Sequence, residues 1–192
     1  MIQAFAENLL EAYRDPRASA RRIMAARPNP QECFLMVIGA FAIQAFVGDA
    51  WALSFGAGEV AGLTARGAEL MLQVLLYVVL VAGVHGIGRR FGGAADQPSV
   101  AAVVAWHYLA TAFLAPLNVI GMSAVSESGT GVAFFLVPIS VVLSIWIFAS
   151  FVAEAHGFRR IGGVILASVG GFAALGVVAV LVMSLFGVAP PN

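Results

Sequence analysis

Residues 74–81 read Val-Leu-Leu-Tyr-Val-Val-Leu-Val, and this apolar run decides the fold. It lacks the strict alternation of polar and apolar residues that a strand of a membrane-spanning barrel shows. With its flanks it forms a continuous apolar stretch from Ala68 to Gly88, which is long enough to cross about 30 Å of hydrocarbon as a helix. Because only helices and closed barrels satisfy every backbone group in lipid, the run predicts a transmembrane helix.

Four further stretches have the same character, and together they predict an all-α polytopic bundle. The five predicted spans are Gln31–Leu53, Ala68–Gly88, Ser99–Gly121, Thr130–Ala153 and Ile161–Phe186. The chain then divides into interface helices at 1–30, a five-span transmembrane domain at 31–187 and a short outer tail at 188–192. The connections between spans are short, so no soluble catalytic or nucleotide-binding domain is expected.

The composition of the 192 residues excludes a soluble protein. Hydrophobic residues make up 61% of the chain and charged residues only 10%, whereas an ordinary soluble domain carries about 25% charged residues. The basic residues are all arginine, and they balance the acidic residues at a formal net charge of zero. This balance gives no reason to expect a nucleic-acid partner.

The arginines are concentrated in alternate connections of the predicted bundle. Five precede the first span, two follow the second and two follow the fourth: Arg14, Arg17, Arg21, Arg22, Arg27, Arg89, Arg90, Arg159 and Arg160. The positive-inside rule places these segments in the cytoplasm. We therefore expect a cytoplasmic N-terminus and a C-terminus on the outer side.

Residues 1–30 predict two short helices before the first span. Apolar side chains recur at helical spacing from Ile2 to Tyr13, which indicates an amphipathic helix. Asp15 and Pro16 are typical of an N-cap followed by a first-turn proline, which would begin a second helix that ends before Pro28. The two helices either lie in the cytoplasmic membrane interface or pack under the bundle as a cap.

Four ionisable residues fall in the cytoplasmic half of the predicted bundle: His85, His107, Glu154 and His156. Three histidines and a carboxylate could bind a transition metal, but their spacing matches no local metal motif. We favour helix-end caps for His85 and His156 and a bond to a neighbouring helix for His107. No catalytic signature is present, so neither an enzyme activity, a metal nor a cofactor is expected.

Aromatic and small residues define two further candidate sites. Trp106 and Trp146 fall at similar predicted depth and could line a pocket for a lipid headgroup or a quinone, although buried packing is commoner. Gly163, Ala167 and Gly171 share one stripe of the fifth span, which favours close approach to another helix of this chain or of a second copy.

For the polar residues and prolines at other depths we expect ordinary structural roles. Asp49 and Glu69 fall near the outer ends of the first two spans, within reach of water, and Gln73 shares a face with Glu69. Pro116 and Pro138 predict kinks in the third and fourth spans.

The order of several motifs resembles the Yip domain family, five-span membrane proteins first known as interactors of Ypt/Rab GTPases. The motifs are Asp15-Pro16-Arg17, Phe91-Gly92-Gly93, Trp106-His107-Tyr108 with Pro116, and Glu154-Ala155-His156-Gly157. The resemblance extends from about residue 15 to residue 185. The chain has almost no counterpart of the long polar N-terminal region of eukaryotic members, so it looks like the short bacterial branch.

This resemblance implies a non-enzymatic protein of a bacterial inner membrane that organises the membrane or binds partners. The expected partners are the lipid bilayer and either another protein or a second copy of the chain. Two alternatives remain open. One is a small transporter or channel, and the other is a metal- or redox-binding subunit that uses the cytoplasmic histidines.

Overall fold

The computed structural model describes residues 2–55, 62–127, 135–171 and 173. Within these ranges the chain is helical, which confirms the all-α class. The helices are α1 (Ile2–Arg14), α2 (Pro16–Ala26), α3 (Pro30–Phe55), α4 (Leu63–Arg90), α5 (Gln97–Ala112), α6 (Ala115–Glu127), α7 (Leu136–His156) and α8 (Ile161–Gly171).

The long apolar helices coincide with the predicted spans. Helices α3, α4 and α7 are long and apolar enough to cross a membrane, and α5 with the first part of α6 adds a fourth crossing if this bent pair is one span. Helix α8 covers the beginning of the fifth predicted span. The rest of that span and the 188–192 tail lie outside the described residues, so the count of five stays a prediction.

Pro116 accounts for the bend of 48° between α5 and α6. Its ring would collide with the carbonyl of Ala112 in a continuous helix, and it has no N–H to donate to that carbonyl. Helix α5 therefore ends at Ala112, and the kink predicted at Pro116 is confirmed. Pro138 differs, because it lies in the first turn of α7, where a backbone N–H would have no acceptor within the helix and its absence breaks no helical hydrogen bond. The helix runs unbroken from there to His156, contrary to the kink expected at Pro138.

Short polar side chains begin three of the helices. The Asp15 carboxylate accepts a hydrogen bond from the Ala18 N–H at 3.0 Å, which confirms the predicted cap of α2. Asn29 and Glu32 cap α3 reciprocally. At the start of α5 the hydrogen bonds from Ser99 hold the pKa of Asp96 below its ordinary value.

Helix α5 lies at the centre of the bundle, with apolar neighbours on two sides. Val100 and Val104 face a cluster formed mainly with α3, α4 and α7. Val103 and Trp106 face a second cluster, which is completed by Ala12, Ala20, Ile23, Ala110, Ile147 and Phe151. Because lipid competes as an apolar neighbour, the fit between these side chains has to hold the helices together.

The two ends of the bundle differ in charge. Helix α2 packs on the end of α7, and the end of α4 lies against His156 of α7. We call this end of the bundle the arginine-rich end, since it carries Arg89, Arg90, Arg159 and Arg160 as well as the arginines of α2. The opposite end contains the start of α4, beside the last turns of α3.

Candidate functional site

Glu154 anchors α2 to the end of α7. Arg21 donates a hydrogen bond to a carboxylate oxygen of Glu154 at 3.1 Å, and Arg17 lies 3.9 Å from the other oxygen. Arg17 and Arg21 are one turn apart on α2, so both face the same carboxylate. Arg17 also donates to the carbonyl of Phe158 at 3.0 Å. The predicted site residue Glu154 therefore serves to hold two helices together.

Trp106 connects α5 to both N-terminal helices. Its indole N–H donates to the hydroxyl oxygen of Ser19 at 2.9 Å, and that hydroxyl lies 2.9 Å from the side-chain oxygen of Asn8. Phe5 meets the indole ring edge-on with 5.7 Å between ring centroids. With 2% of its surface exposed, Trp106 offers no face to a ligand in this arrangement. Trp146 packs against the same second cluster and is partly buried.

Tyr13 fixes α1 at a deeper level of the bundle. Its hydroxyl donates to the carbonyl of Ala110, close to the end of α5. Burial raises the pKa of Tyr13 to about 12, so the phenol stays protonated and remains a donor at neutral pH. Ala110 lies 13 residues after Gln97, which is roughly 20 Å along α5 at 1.5 Å per residue. The N-terminal helices thus pack along the flank of α5 and α7, and their position relative to a membrane interface stays a prediction.

His156 closes a tight seam between α4 and α7. Its ring is 2% exposed and stacks on Phe158 with 5.4 Å between centroids. A Cβ added to Gly88 or Gly93 would overlap the imidazole, so only glycine fits opposite it. Neither ring nitrogen has a hydrogen-bond partner of good geometry in the described ranges, and Gly157, at φ 73°, provides the backbone cap of α7.

The loop after α4 contains two adjacent glycines, Gly92 and Gly93, because its backbone turns sharply and passes close to His156. Gly92 has φ 81°, a left-handed conformation that glycine adopts without steric cost. Gly93 then touches the His156 ring, and the next N–H, of Ala94, donates to the carbonyl of His156 at 3.2 Å. His85 and His156 therefore lie near the ends of two helices that are in contact.

The remaining histidines lie on two other helices, His107 on α5 and His85 on α4. His107 is almost fully buried, with its ring 5.1 Å from that of Phe148. His85 is partly buried on α4. No group of three or more His, Cys, Asp or Glu in the described ranges could hold a metal ion. The four candidate residues are not gathered into one site, and the expectation of a metal-free protein stays a prediction.

Sequence reasoning missed the partners of the acidic residues. At the opposite end Arg66 pairs with Asp49 of α3 and, at 2.8 Å, with Glu69 of α4. The i, i+3 spacing of Arg66 and Glu69 signals one of these pairs. The spacing of Arg17 and Arg21 similarly indicates a common face of α2. No local pattern identifies Glu154 as their acceptor, because 133 residues separate Arg21 from it.

Comparison with known proteins gives one family. The family model of the Yip1 domain matches residues 10–186, which includes the four motifs from Asp15-Pro16-Arg17 to Glu154-Ala155-His156-Gly157. No curated protein and no solved structure matches the chain significantly.

Proposed function

The chain belongs to the Yip1 domain family, and we propose that it is a non-enzymatic membrane protein that binds partner proteins or lipids through its arginine-rich end. The observation that carries the proposal is the docking of α2 on α7 through Glu154. The single carboxylate of Glu154 is shared by Arg17 and Arg21 and balances one of their two positive charges. The docked helices then present a fixed surface rather than a flexible tail.

The outer side of the docked helices retains positive charge. Arg27 is exposed after the end of α2 and has no ion pair in the described ranges, and Arg17 and Arg21 share a single carboxylate. Arginine side chains suit carboxylates and phosphates as bidentate donors. A surface of this kind fits acidic partner segments and the anionic lipids of a cytoplasmic leaflet.

The proposal includes an orientation. We place the protein in a bacterial inner membrane, with the arginine-rich end in the cytoplasm and the opposite end outside. The support is the excess of arginine in alternate connections. Five spans, with the last one continuing α8, would put the C-terminus on the outer side.

Site-specific photo-crosslinking in cells tests the proposed function. A photoreactive residue at Ala25, which is exposed at the end of α2, is compared with one at Leu63, which is 91% exposed at the opposite end. We expect discrete protein or lipid adducts from Ala25 and none from Leu63. We also expect Glu154→Gln to weaken the adducts from Ala25, because it loosens the attachment of α2 to α7.

Two results would overturn the proposal. One is an equal adduct pattern from both positions, since binding would then not depend on the arginine-rich end. The other is substrate flux through proteoliposomes of the purified protein without any adduct from Ala25, which would favour a transporter.

A further inference from the structure

An apolar groove runs between α4, α7 and α8. Its volume is about 730 Å³, and its walls include Val79 of α4, Val152 of α7 and Val164 of α8. The groove is open beside Gly83 and Gly163, where an added Cβ would meet no atom within 4 Å. The volume lies in the range of about 300–1,000 Å³ that is usual for ligand sites.

Two arginines line the same groove at the arginine-rich end. Arg159 and Arg160 are exposed, and the ion pairs of the described chain involve other arginines. Their backbone is held in place, since Arg17 donates to the carbonyl of Arg159 at 3.3 Å. The groove thus combines a long apolar wall with two guanidinium groups that have no ion pair within the described ranges.

We propose that this groove binds an anionic phospholipid, with an acyl chain along α8 and the phosphate headgroup on Arg159 and Arg160. The inference rests on the proposed function and names the lipid that the protein would bind. Guanidinium groups bind phosphate in a bidentate manner, and basic pockets between transmembrane helices suit acidic headgroups. A protein helix in the groove would have to bring a carboxylate to the same two arginines.

The test compares lipids on the delipidated full-length protein. Phosphatidylglycerol and phosphatidylcholine are titrated separately, and bound lipid is counted by native mass spectrometry. We expect phosphatidylglycerol to bind at least about tenfold more tightly, because both arginines attract its anionic headgroup.

Substitutions of the two arginines and of Gly163 test the headgroup site and the apolar groove separately. Arg159→Gln with Arg160→Gln should abolish the preference for phosphatidylglycerol. Its matched control is Arg89→Gln with Arg90→Gln, which removes the same charge at the same end from residues that do not line the groove. Gly163→Leu should weaken both lipids, because the side chain would occupy the groove.

Equal binding of the two lipids to the wild-type protein would overturn the inference, as would equal loss in both arginine variants. A dimer in the wild type that Gly163→Leu splits, without any change in bound lipid, would assign the groove to a second copy of the chain. If adducts from Ala25 persist in any of these cases, the lipid inference fails but the proposed function is not contradicted.

Discussion

Two neighbouring regions beside α4 and α7, the His156 seam and the apolar groove, both contain glycines. The glycines differ in what lies opposite them. At the seam, Gly88 and Gly93 lie directly against the His156 ring. Along the groove, Gly163 and Gly171 of α8 face open space, with no atom within 4 Å of an added Cβ. The difference shows that a glycine permits close packing only where a bulky group stands opposite it. The spacing of small residues predicted a close helix contact along α8. The structure has its tight glycine contact at the end of α4, against His156.

The largest effect is expected from Gly88→Ala, which forces a methyl group into the His156 ring. Overpacking of this kind costs about 1–3 kcal/mol of unfolding free energy. Thermal unfolding in detergent should therefore show a clear drop in melting temperature. Gly86→Ala is the matched control, because the same helix offers it open space.

A double variant sharpens this first prediction. His156→Ala removes the ring and should restore much of the stability that Gly88→Ala loses, since the two changes affect one contact. If Gly88→Ala were as stable as Gly86→Ala, the seam would be looser than described.

A smaller effect is expected at the anchor of α2. Glu154→Gln removes the charge that Arg17 and Arg21 share, and partly exposed pairs of this kind contribute up to about 1 kcal/mol. Hydrogen exchange of α2 should accelerate while that of α5 stays unchanged. Glu7→Gln is the control, because Glu7 is exposed on α1 and pairs only with Gln3 in the described structure. Identical exchange in both variants would mean that α2 is held by its apolar face alone.

The smallest effect on the single chain is expected from Gly171→Leu. If the stripe of α8 approached another helix closely, this change would cost about 1–3 kcal/mol. The open groove instead predicts a change within about 0.5 kcal/mol, as for a surface substitution. Thermal unfolding of the delipidated protein, compared with the wild type, distinguishes the two. A large loss would show that the predicted close approach exists.

Local sequence signals were sufficient for the helices but not for their contacts. Hydrophobic length located α3, α4, α7 and the bent pair of α5 and α6, and the chemistry of Asp15 and Pro116 fixed a helix start and a helix break. Those features depend on neighbours within a few residues. The acceptor of Arg21 and the group opposite Gly88 lie far away in the chain, so no periodicity encodes them. The order of the family motifs carried more information, since the matched family spans residues 10–186.

Side-specific cysteine labelling tests most directly whether the arginine-rich end, which we propose binds partners, lies in the cytoplasm. Phe91→Cys lies at that end and replaces a residue that is 75% exposed, and Leu63→Cys lies at the opposite end. Both are made with Cys33 replaced by Ser and treated with a membrane-impermeant maleimide. We expect intact spheroplasts to label only Leu63→Cys and inverted vesicles to label only Phe91→Cys. Labelling of Phe91→Cys on intact spheroplasts, or of both positions from one side, would contradict this orientation.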